Sequence, residues 1–505
     1  MNSFPRVVIA GLSGGSGKTT LSLGLLRAFR KRGLSAVAFK KGPDYIDAGW
    51  LGAASGAPCY NLDPFLIGRE NILPSFIGRA SGFDISLIEG NRGIFDGMDL
   101  KGSQSTATLA DILKSPIVLI MDTSKMTRTA AAIVLGVKNF EPGLKLAGVV
   151  LNRVAGARHE AMLRRSIESY TGVPVLGALP KLKEANAVIS ERHMGLLAHK
   201  EHPEAEAALE SARELIERSV DVEGVIEASR NAVRLRPRGA LAGKEAGKDK
   251  ENKENTKEKS GVVIGVVRDR AFQFYYPENL EVLERAGATI EAISPLSEEG
   301  GRSKILSRIH ALYIGGGFPE TNALSLSENR GFIRALIERV EHGLPVYAEC
   351  GGLMYLASHI ELNGSRHPMA GIFPFGMTLE KKPVAHGYSI ARVRGKNPFY
   401  PVGTVLRGHE FHYSRPARLG QKADPAKKTP KGAGSKGTRT KNKNVREARL
   451  VLQMERGAGI EGGMDGLVYK NVFATYTHTH ALGTPEWAQG MIKAAQKFRK
   501  ETGIK

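Results

Sequence analysis

The first 180 residues alternate short apolar runs, rich in β-branched residues, with longer amphipathic stretches. Apolar runs of this length that are separated by helical patterns indicate βαβ units, which predicts a mostly parallel sheet covered by helices. Ligands bind such sheets at the carboxyl ends of the strands. The predicted strands are "RVVIA", "SAVAFK", "DISLIEG", "PIVLIMD", "LAGVVLNRV" and "PVLGALP".

A second α/β pattern begins at residue 261 with "GVVIGVVRD", "ATIEAISP" and "ALYIGGGFPE". It leads to "GLPVYAECGGLMYLA", in which an apolar run ends in a cysteine followed by two glycines. The chain has 505 residues, which is too long for one ordinary core. We therefore predict an α/β fold class with two domains, residues 1–235 and 261–505.

A glycine-rich turn, "GLSGGSGKTT", joins the first predicted strand to an amphipathic helix. Its glycines let backbone N–H groups face a phosphate, and the helix presents its positive N-terminus to the same anion. The standard spacing is not met, because Leu12 occupies the position of the first glycine. A turn without any ligand is the alternative. The predicted nucleotide-binding residues are Ser13, Gly14, Gly15, Ser16, Gly17, Lys18, Thr19, Thr20 and Asn152.

Lys18 would reach the β- and γ-phosphates, and the Asn152 amide is assigned to the adenine edge. Mg²⁺ prefers a few hard oxygen ligands, and the Thr19 hydroxyl with the Asp44 and Glu89 carboxylates would supply them from neighbouring strand ends. Each carboxylate taken alone also fits a surface or capping residue. Further polar residues at these strand ends are Lys40, Asp47 and Asp96, and Asp122 is a weaker metal candidate.

The second half contains a candidate nucleophile, Cys350, at a sharp strand-to-helix turn. Such an elbow exposes the side chain and directs a helix N-terminus at it, which lowers the pKa of a thiol. A buried structural cysteine is the alternative. Backbone N–H groups of Gly316 and Gly317 could form an oxyanion hole, and His478 or His480 could act as the base. This combination is typical of covalent acyl transfer.

The net charge of +21 first suggests a nucleic-acid partner. Two segments carry roughly half of this excess: residues 231–260 hold nine basic and five acidic residues, and residues 421–445 hold eight and one. Both are poor in apolar residues and contain no aromatic residue among the lysines, which favours a linker at 236–260 and a solvated loop at about 421–445 over nucleic-acid binding.

No apolar run approaches the roughly 18 residues that span a bilayer, and the N-terminal sequence lacks the pattern of a signal peptide. The chain has two cysteines, far apart in sequence, which suits a reducing compartment. We therefore expect a cytoplasmic protein that binds neither a membrane nor nucleic acid.

The motifs "GLSGGSGKTT", "KKGPDYIDAGW", "IEGNRGIFDG", "LNRV", "GGGFPE", "YAECGGLMYL", "RGHEFHYS" and "YTHTH" occur in this order along the chain. Together they closely resemble the cobyrinic acid a,c-diamide synthase family. That family joins a dethiobiotin-synthetase-like P-loop domain with a parallel sheet to a class I glutamine amidotransferase-like domain with a flavodoxin-type sheet.

The resemblance implies ATP-dependent amidation of cobyrinic acid, with glutamine as the ammonia source and Mg²⁺ as cofactor. Thr19, Asp44 and Glu89 would serve the nucleotide and the metal. Cys350 would form a glutamyl thioester with His478 as the base. The class I triad usually has a glutamate where His480 stands, so a Cys–His dyad is expected. The residues assigned to carboxylate activation are Lys40, Tyr45, Ile46 and Asp96.

Several alternatives stay open within the same fold. The macrocycle could be hydrogenobyrinic acid or nickel sirohydrochlorin, whereas "RGHEFHYS" favours the a,c-diamide group over cobyric acid synthase. A partition-like ATPase that binds DNA or a membrane belongs to a different class; its loop begins with a lysine, and this chain has Ser13 there. A homodimer also stays open.

Overall fold

The computed structural model describes residues 4–181, 204–235, 261–296, 303–417 and 448–504. These residues belong to two compact units. The first unit comprises Met1–Asn255 with Tyr276–Glu278, and the second comprises Thr256–Tyr275 with Asn279–Lys505. The predicted linker at 236–260 and the predicted loop at about 421–445 lie outside the described residues.

The first unit contains a seven-stranded sheet in which every described pairing is parallel. Continuous apolar runs form its central strands, as expected for strands that are buried on both faces. The order across the sheet is β3-β2-β4-β1-β5-β6-β7. The strands are β1 (Arg6–Gly11), β2 (Ala36–Lys40), β3 (Tyr60–Asn61), β4 (Ile85–Glu89), β5 (Ile117–Asp122), β6 (Leu146–Val154) and β7 (Val175–Pro180).

The predicted parallel sheet is confirmed, with one addition at its edge. The six predicted runs form β1, β2 and β4 to β7, whereas β3 has two residues and is too short to create an apolar pattern. Because β4 lies between β1 and β2, the segments that follow these three strands meet at one edge of the sheet. This order brings the phosphate-loop candidate next to the predicted acidic residues.

Helices of the first unit connect the strands and cover the sheet. The helix that follows the glycine-rich turn buries Leu21, Leu25 and Phe29 in the core. Gly24 on the same helix allows close packing, because a Cβ there would lie 2.6 Å from the Ala212 carbonyl. The helices are α1 (Lys18–Lys31), α2 (Ile46–Ser55), α3 (Arg69–Ala80), α4 (Thr106–Leu113), α5 (Thr129–Phe140), α6 (Ala157–Thr171), α7 (Ala205–Ser219) and α8 (Val222–Arg230).

The second unit contains a ten-stranded sheet with the order β21-β16-β15-β18-β19-β20-β11-β10-β8-β9. Strands β9, β8, β10, β11 and β20 pair in parallel, and the pairs from β20 to β21 are antiparallel. The strands are β8 (Val263–Val267), β9 (Thr289–Ile293), β10 (Ala311–Ile314), β11 (Val346–Glu349), β15 (Ala385–Val393), β16 (Val405–His412), β18 (Arg449–Arg456), β19 (Met464–Tyr469), β20 (Val472–Thr475) and β21 (His478–Thr479).

A smaller four-stranded sheet and several helices complete the described part of this unit. The flavodoxin-type prediction accounts for the parallel strands, and the antiparallel extension was not predicted. The small sheet has the order β13-β12-β14-β17, formed by β12 (His359–Leu362), β13 (Ser365–Pro368), β14 (Gly376–Leu379) and β17 (Ser414–Pro416). The helices are α9 (Pro277–Arg285), α10 (Ser303–Arg308), α11 (Ala323–Glu328), α12 (Arg330–Glu341), α13 (Gly351–Leu356) and α14 (Pro485–Thr502), with a short 3-10 helix at Pro319–Asn322.

None of the helices in the described ranges is long and apolar enough to cross a membrane.

Candidate active sites

The glycine-rich turn of the first unit has the backbone geometry of a close-fitting loop. Gly15 and Gly17 have φ angles of 70° and 98°, which a side chain would strain. A Cβ at Gly17 would also lie 2.5 Å from the Asn152 amide nitrogen. That nitrogen donates to the Ser16 carbonyl at 3.0 Å. Asn152 therefore supports the backbone of the loop, while its assignment to adenine stays a prediction.

The loop residues differ in their exposure to solvent. Ser13, Gly14 and Gly15 are exposed, Ser16 to Lys18 are buried, and Thr19 and Thr20 are half-buried. The Lys18 ammonium group donates at 2.9 Å to the carbonyls of Ser13 and Arg92. Burial, followed by the charge of Lys40, lowers the pKa of Lys18. The structure thus brings a cation into the turn where the phosphate is expected.

A buried charge network follows the neighbouring strands β2 and β4. The ammonium nitrogen of Lys40 lies 2.5 Å from Glu89 Oε1 and 2.6 Å from Asp47 Oδ2. The Thr19 hydroxyl donates to the same Glu89 oxygen at 3.1 Å. Burial alone lowers the pKa of Lys40, but Asp47 and Glu89 outweigh it and hold that pKa well above its usual value. Lys40, predicted for substrate, is therefore held as a cation beside Glu89, which is predicted for metal.

Asp44 lies two residues before the start of α2, the helix that follows β2. Its Oδ1 accepts a hydrogen bond from the Asp47 amide at 2.8 Å, so it has the capping contact considered as the alternative to metal binding. Burial, followed by repulsion from Asp47, raises the pKa of Asp44 to about 7. Tyr45 and Ile46 are half-buried at the start of α2. Asp44 therefore lies in the segment after β2, as predicted, and one of its carboxylate oxygens already accepts a backbone hydrogen bond.

Asp96 lies in the segment that follows β4. It is exposed, and its carboxylate accepts a hydrogen bond from the Gly93 amide at 2.9 Å. This contact shapes the turn that carries Arg92, whose backbone has a φ of 51°. The turn therefore places Asp96 and the Arg92 carbonyl on the side of the sheet edge where Lys18 lies.

The donor set at this edge fits a magnesium ion. Glu89 is fully buried, and its Oε2 has no hydrogen-bond partner among the described residues. An unpartnered buried carboxylate oxygen is costly unless a cation binds there. The described residues contain no group of three or more His, Cys, Asp or Glu side chains that could hold a metal by themselves. Mg²⁺ usually takes one or two carboxylates with phosphate and water oxygens, so Glu89 and the Thr19 hydroxyl have the donor chemistry that this ion needs.

In the second unit, Cys350 occupies the predicted strand-to-helix elbow. It lies between β11 and α13 with a φ of 48°, a strained value for a residue with a side chain. Its thiol is buried and lies 3.9 Å from the Phe411 carbonyl. Burial, followed by the charge of Glu320, raises the pKa of Cys350. The prediction of a lowered thiol pKa is therefore wrong, because desolvation outweighs the N-terminus of a six-residue helix.

The two glycines predicted for the oxyanion hole pack against this elbow. A Cβ at Gly316 would lie 2.5 Å from His478 Cε1, so the histidine ring rests directly on this glycine. Gly317 has a φ of 156°, and a Cβ there would lie 2.0 Å from the Ala271 carbonyl. A Cβ at Gly351, the residue after the cysteine, would lie 3.0 Å from the Gly317 amide nitrogen. The turn, the glycines and His478 are thus brought together as predicted.

The structure gives different surroundings to the two candidate histidines. His478 Nδ1 lies 3.4 Å from Glu349 Oε2, and its ring stacks on that of His409 at 4.8 Å. His480 is fully buried, and its Nδ1 accepts a hydrogen bond from the Leu482 amide at 3.2 Å. The contacts of His478 favour it as the base, and the His480 contact supports a backbone turn.

Sequence reasoning missed Glu349 as a member of this cluster. The motif "YAECGG" contains a charged residue at the end of an otherwise apolar strand, which was the available signal. Glu349 is fully buried and accepts hydrogen bonds from the Tyr313 hydroxyl at 3.0 Å and the Thr479 amide at 3.2 Å. A carboxylate is therefore present beside His478, although the position two residues after this histidine is occupied by His480.

Two domain families match this chain. Residues 7–196 match the CobQ/CobB/MinD/ParA nucleotide binding domain, and residues 263–486 match the CobB/CobQ-like glutamine amidotransferase domain. The first match contains the glycine-rich turn and the Lys40 network. The second contains the cysteine elbow and both histidines.

Full-length relatives carry the same name across bacteria and archaea. The chain is 37% identical to the cobyrinate a,c-diamide synthase of Magnetococcus marinus, covering 99% of this chain and 98% of the relative. It is 36% identical to that of Archaeoglobus fulgidus, covering 98% of both chains. The Listeria innocua synthase is 38% identical, covering 81% of this chain and 87% of the relative. With relatives of this identity along its length, the chain belongs to the cobyrinate a,c-diamide synthase family.

Proposed function

We propose that this protein converts the a and c side-chain carboxylates of cobyrinic acid to amides in cobalamin biosynthesis, using ATP and glutamine. The observation that carries the proposal is the presence, in one chain of this family, of a phosphate-loop edge and a cysteine–histidine elbow. A carboxylate at neutral pH is a poor electrophile, so its amidation needs both an activated oxygen and a source of ammonia.

The first unit would activate the carboxylate. A substrate carboxylate oxygen attacks the γ-phosphorus of ATP, which gives an acyl phosphate and ADP. Lys18 and Lys40 would offset the negative charge that accumulates when an anionic carboxylate meets a triphosphate. Mg²⁺, held by Thr19 and Glu89 with Asp44 nearby, would supply further charge neutralisation for the phosphates. Ammonia then displaces phosphate from the acyl carbon, and loss of a proton gives the amide.

The carboxylate-activation residues have separate roles in this proposal. Lys40 is fixed by Asp47 and Glu89, so its charge is held in place before substrate binds. Tyr45 and Ile46 form the start of α2 beside it, where they would position the substrate carboxylate. Asp96 would hold the turn after β4 in the form that carries the Arg92 carbonyl.

The second unit would release ammonia from glutamine. The Cys350 sulfur attacks the side-chain amide carbon while His478 takes the thiol proton. His478 returns that proton to the departing nitrogen, so the C–N bond breaks and ammonia and a glutamyl thioester result. Water then cleaves the thioester to glutamate and restores the thiol. The amides of Gly316 and Gly317 would donate to the oxyanion of each tetrahedral intermediate.

The remaining partners follow from this chemistry. ATP, glutamine and the tetrapyrrole are small molecules, and neither nucleic acid nor a membrane is needed for turnover. The two buried, unbridged cysteines agree with action in the reducing cytoplasm. A homodimer is a hypothesis that sedimentation equilibrium of the purified protein would test directly.

Mass spectrometry of the product tests the whole proposal. Cobyrinic acid is incubated with the protein, Mg²⁺-ATP and amide-¹⁵N glutamine, in parallel with a Cys350→Ala variant. We expect two labelled amides from the wild type and none from the variant with glutamine. Free ammonia should restore both amides in the variant, because the nucleotide site is unchanged.

Other outcomes separate the alternatives. Amidation of hydrogenobyrinic acid or nickel sirohydrochlorin, with none of cobyrinic acid, would retain the reaction and correct the substrate. ATP hydrolysis without amidation of any of the three macrocycles would overturn the ligase proposal. Omitting Mg²⁺ should abolish amide formation, and full activity in the presence of excess EDTA would contradict the metal assignment.

A further inference from the structure

The base of a nucleophile–histidine pair works best when a third group fixes its ring and stabilises its charged form. In this chain the segment "YTHTH" offers no carboxylate after His478. His480 uses its Nδ1 to accept a hydrogen bond from Leu482, so it is engaged with a local turn. The carboxylate that contacts His478 comes instead from Glu349 on β11.

We propose that Glu349 is the positioning residue for His478 in glutamine hydrolysis. This inference rests on the proposed ammonia-releasing function of the second unit. Glu349 Oε2 lies 3.4 Å from His478 Nδ1. In the proposed tautomer the proton is on Nδ1 and is donated to Glu349, which leaves Nε2 to take the proton of the Cys350 thiol. When His478 becomes charged, the adjacent carboxylate stabilises the imidazolium. The Cys–His pair is thus completed by the residue immediately before the nucleophile.

The surroundings of Glu349 hold its carboxylate in one orientation. Oε1 accepts from the Thr479 amide at 3.2 Å, and Oε2 accepts from the Tyr313 hydroxyl at 3.0 Å. Asn279, also fully buried, donates to the Thr479 carbonyl at 2.9 Å and accepts from the Ala481 amide at 2.7 Å. The chain is therefore held by hydrogen bonds directly after His478, at Thr479 and Ala481.

Two other buried carboxylates in this unit have structural partners. Glu410 accepts from the amides of Ala458 and Gly459 at 2.9 Å and 3.2 Å, and thereby fixes a turn. Asp465 accepts from the Thr475 hydroxyl at 2.6 Å and from two amides of the segment that leads to β21. These contacts hold the backbone, whereas the contact of Glu349 reaches the histidine ring.

The imidazole ring of His409 stacks on a face of the His478 ring. Burial, followed by repulsion from His478 and from His386, lowers the pKa of His409 well below its usual value. A neutral imidazole stacked flat on His478 restricts rotation of the ring without adding a charge. His409 and Glu349 thus both restrict the orientation of the His478 ring, and Glu349 supplies the negative charge beside it.

Glu349→Gln in the full chain tests the proposal. The substitution keeps the size of the side chain and removes its charge. We expect kcat for glutamine-dependent amidation to fall about 100-fold or more, with KM for glutamine changed less than about threefold. Ammonia-dependent amidation should stay within twofold of wild type.

Tyr313→Phe is the matched control. It removes the other side-chain hydrogen bond to Glu349 Oε2 and retains the contact with His478, so we expect a loss in kcat of less than about fivefold. Equal losses of glutamine-dependent kcat in the two variants would reduce Glu349 to a structural role. Glutamine-dependent kcat within threefold of wild type in Glu349→Gln would overturn the proposal.

A measurement on the wild type covers the case in which Glu349→Gln does not fold. NMR of protein with ¹⁵N-labelled histidine, assigned by comparison with His478→Gln, reports which ring nitrogen carries the proton. The proposal requires the proton on Nδ1 in neutral His478, and a proton on Nε2 would overturn it. If the wild type forms no amide even with ammonia, the ligase proposal fails, and the tautomer still decides the role of Glu349.

Discussion

Lys40→Met should destabilise the first unit more than any ordinary surface substitution. The ammonium group lies within 2.6 Å of two carboxylates, and Glu89 is fully buried whereas the side chain of Asp47 is 18% exposed. Water can therefore solvate Asp47, but Glu89 would keep a buried charge with the Thr19 hydroxyl at 3.1 Å. Breaking one partner of a buried ion pair costs about 3–5 kcal/mol. For a unit of this size we expect a fall in melting temperature of roughly 10 °C.

Differential scanning calorimetry of the full chain measures this loss. Lys31→Met is the control, because Lys31 pairs with Glu217 while its side chain is 58% exposed. This variant should lose no more than about 1 kcal/mol of the free energy of unfolding. Adding Glu89→Gln to Lys40→Met should recover part of the stability, since no buried charge is then left without its partner. The reasoning is refuted if Lys40→Met lowers the melting temperature by less than about 2 °C, or if the double variant is no more stable than the single one.

Three further predictions concern both units. Gly316→Ala should reduce glutamine-dependent amidation at least tenfold with ammonia-dependent amidation intact, because the new methyl would lie 2.5 Å from His478; equal activity in both assays would contradict this packing. Alkylation of Cys350 by iodoacetamide, followed by peptide mass spectrometry, should be slow at pH 7 and still accelerate above pH 9, since burial raises the pKa of the thiol; a rate already maximal at pH 7 would argue against it. Arg6→Met should lower the free energy of unfolding, measured with urea, by about 3 kcal/mol, because the buried guanidinium donates to four backbone carbonyls. The control Arg27→Met should lower it by less than about 1 kcal/mol, because the partner carboxylate of Arg27 is 79% exposed.

The parallel parts of both sheets were predictable because each strand is a continuous apolar run between helical patterns. The antiparallel extension of the second unit gives a weaker signal. In β16 the burial alternates irregularly along Val405–His412, and its neighbours β15 and β21 are about 10 and 70 residues away in sequence. Pairing of this kind depends on side-chain packing between distant segments, which a single sequence does not display.

The residues of the candidate sites also differ in how far the sequence could predict them. Lys40 and Glu89 were identified separately, one for substrate and one for metal, and their direct ion pair follows from the adjacency of β2 and β4. The sequence pattern did not indicate Glu349 as a site residue, because of its place in the strand directly before Cys350. Successive side chains of a strand point to opposite faces, which argues against two neighbours serving one site. The positive φ of Cys350 ends that alternation, so Glu349 stays in β11 and contacts His478 while the cysteine lies at the elbow. One strained residue thereby allows two consecutive positions to contribute the proposed nucleophile and the carboxylate that we propose orients its base.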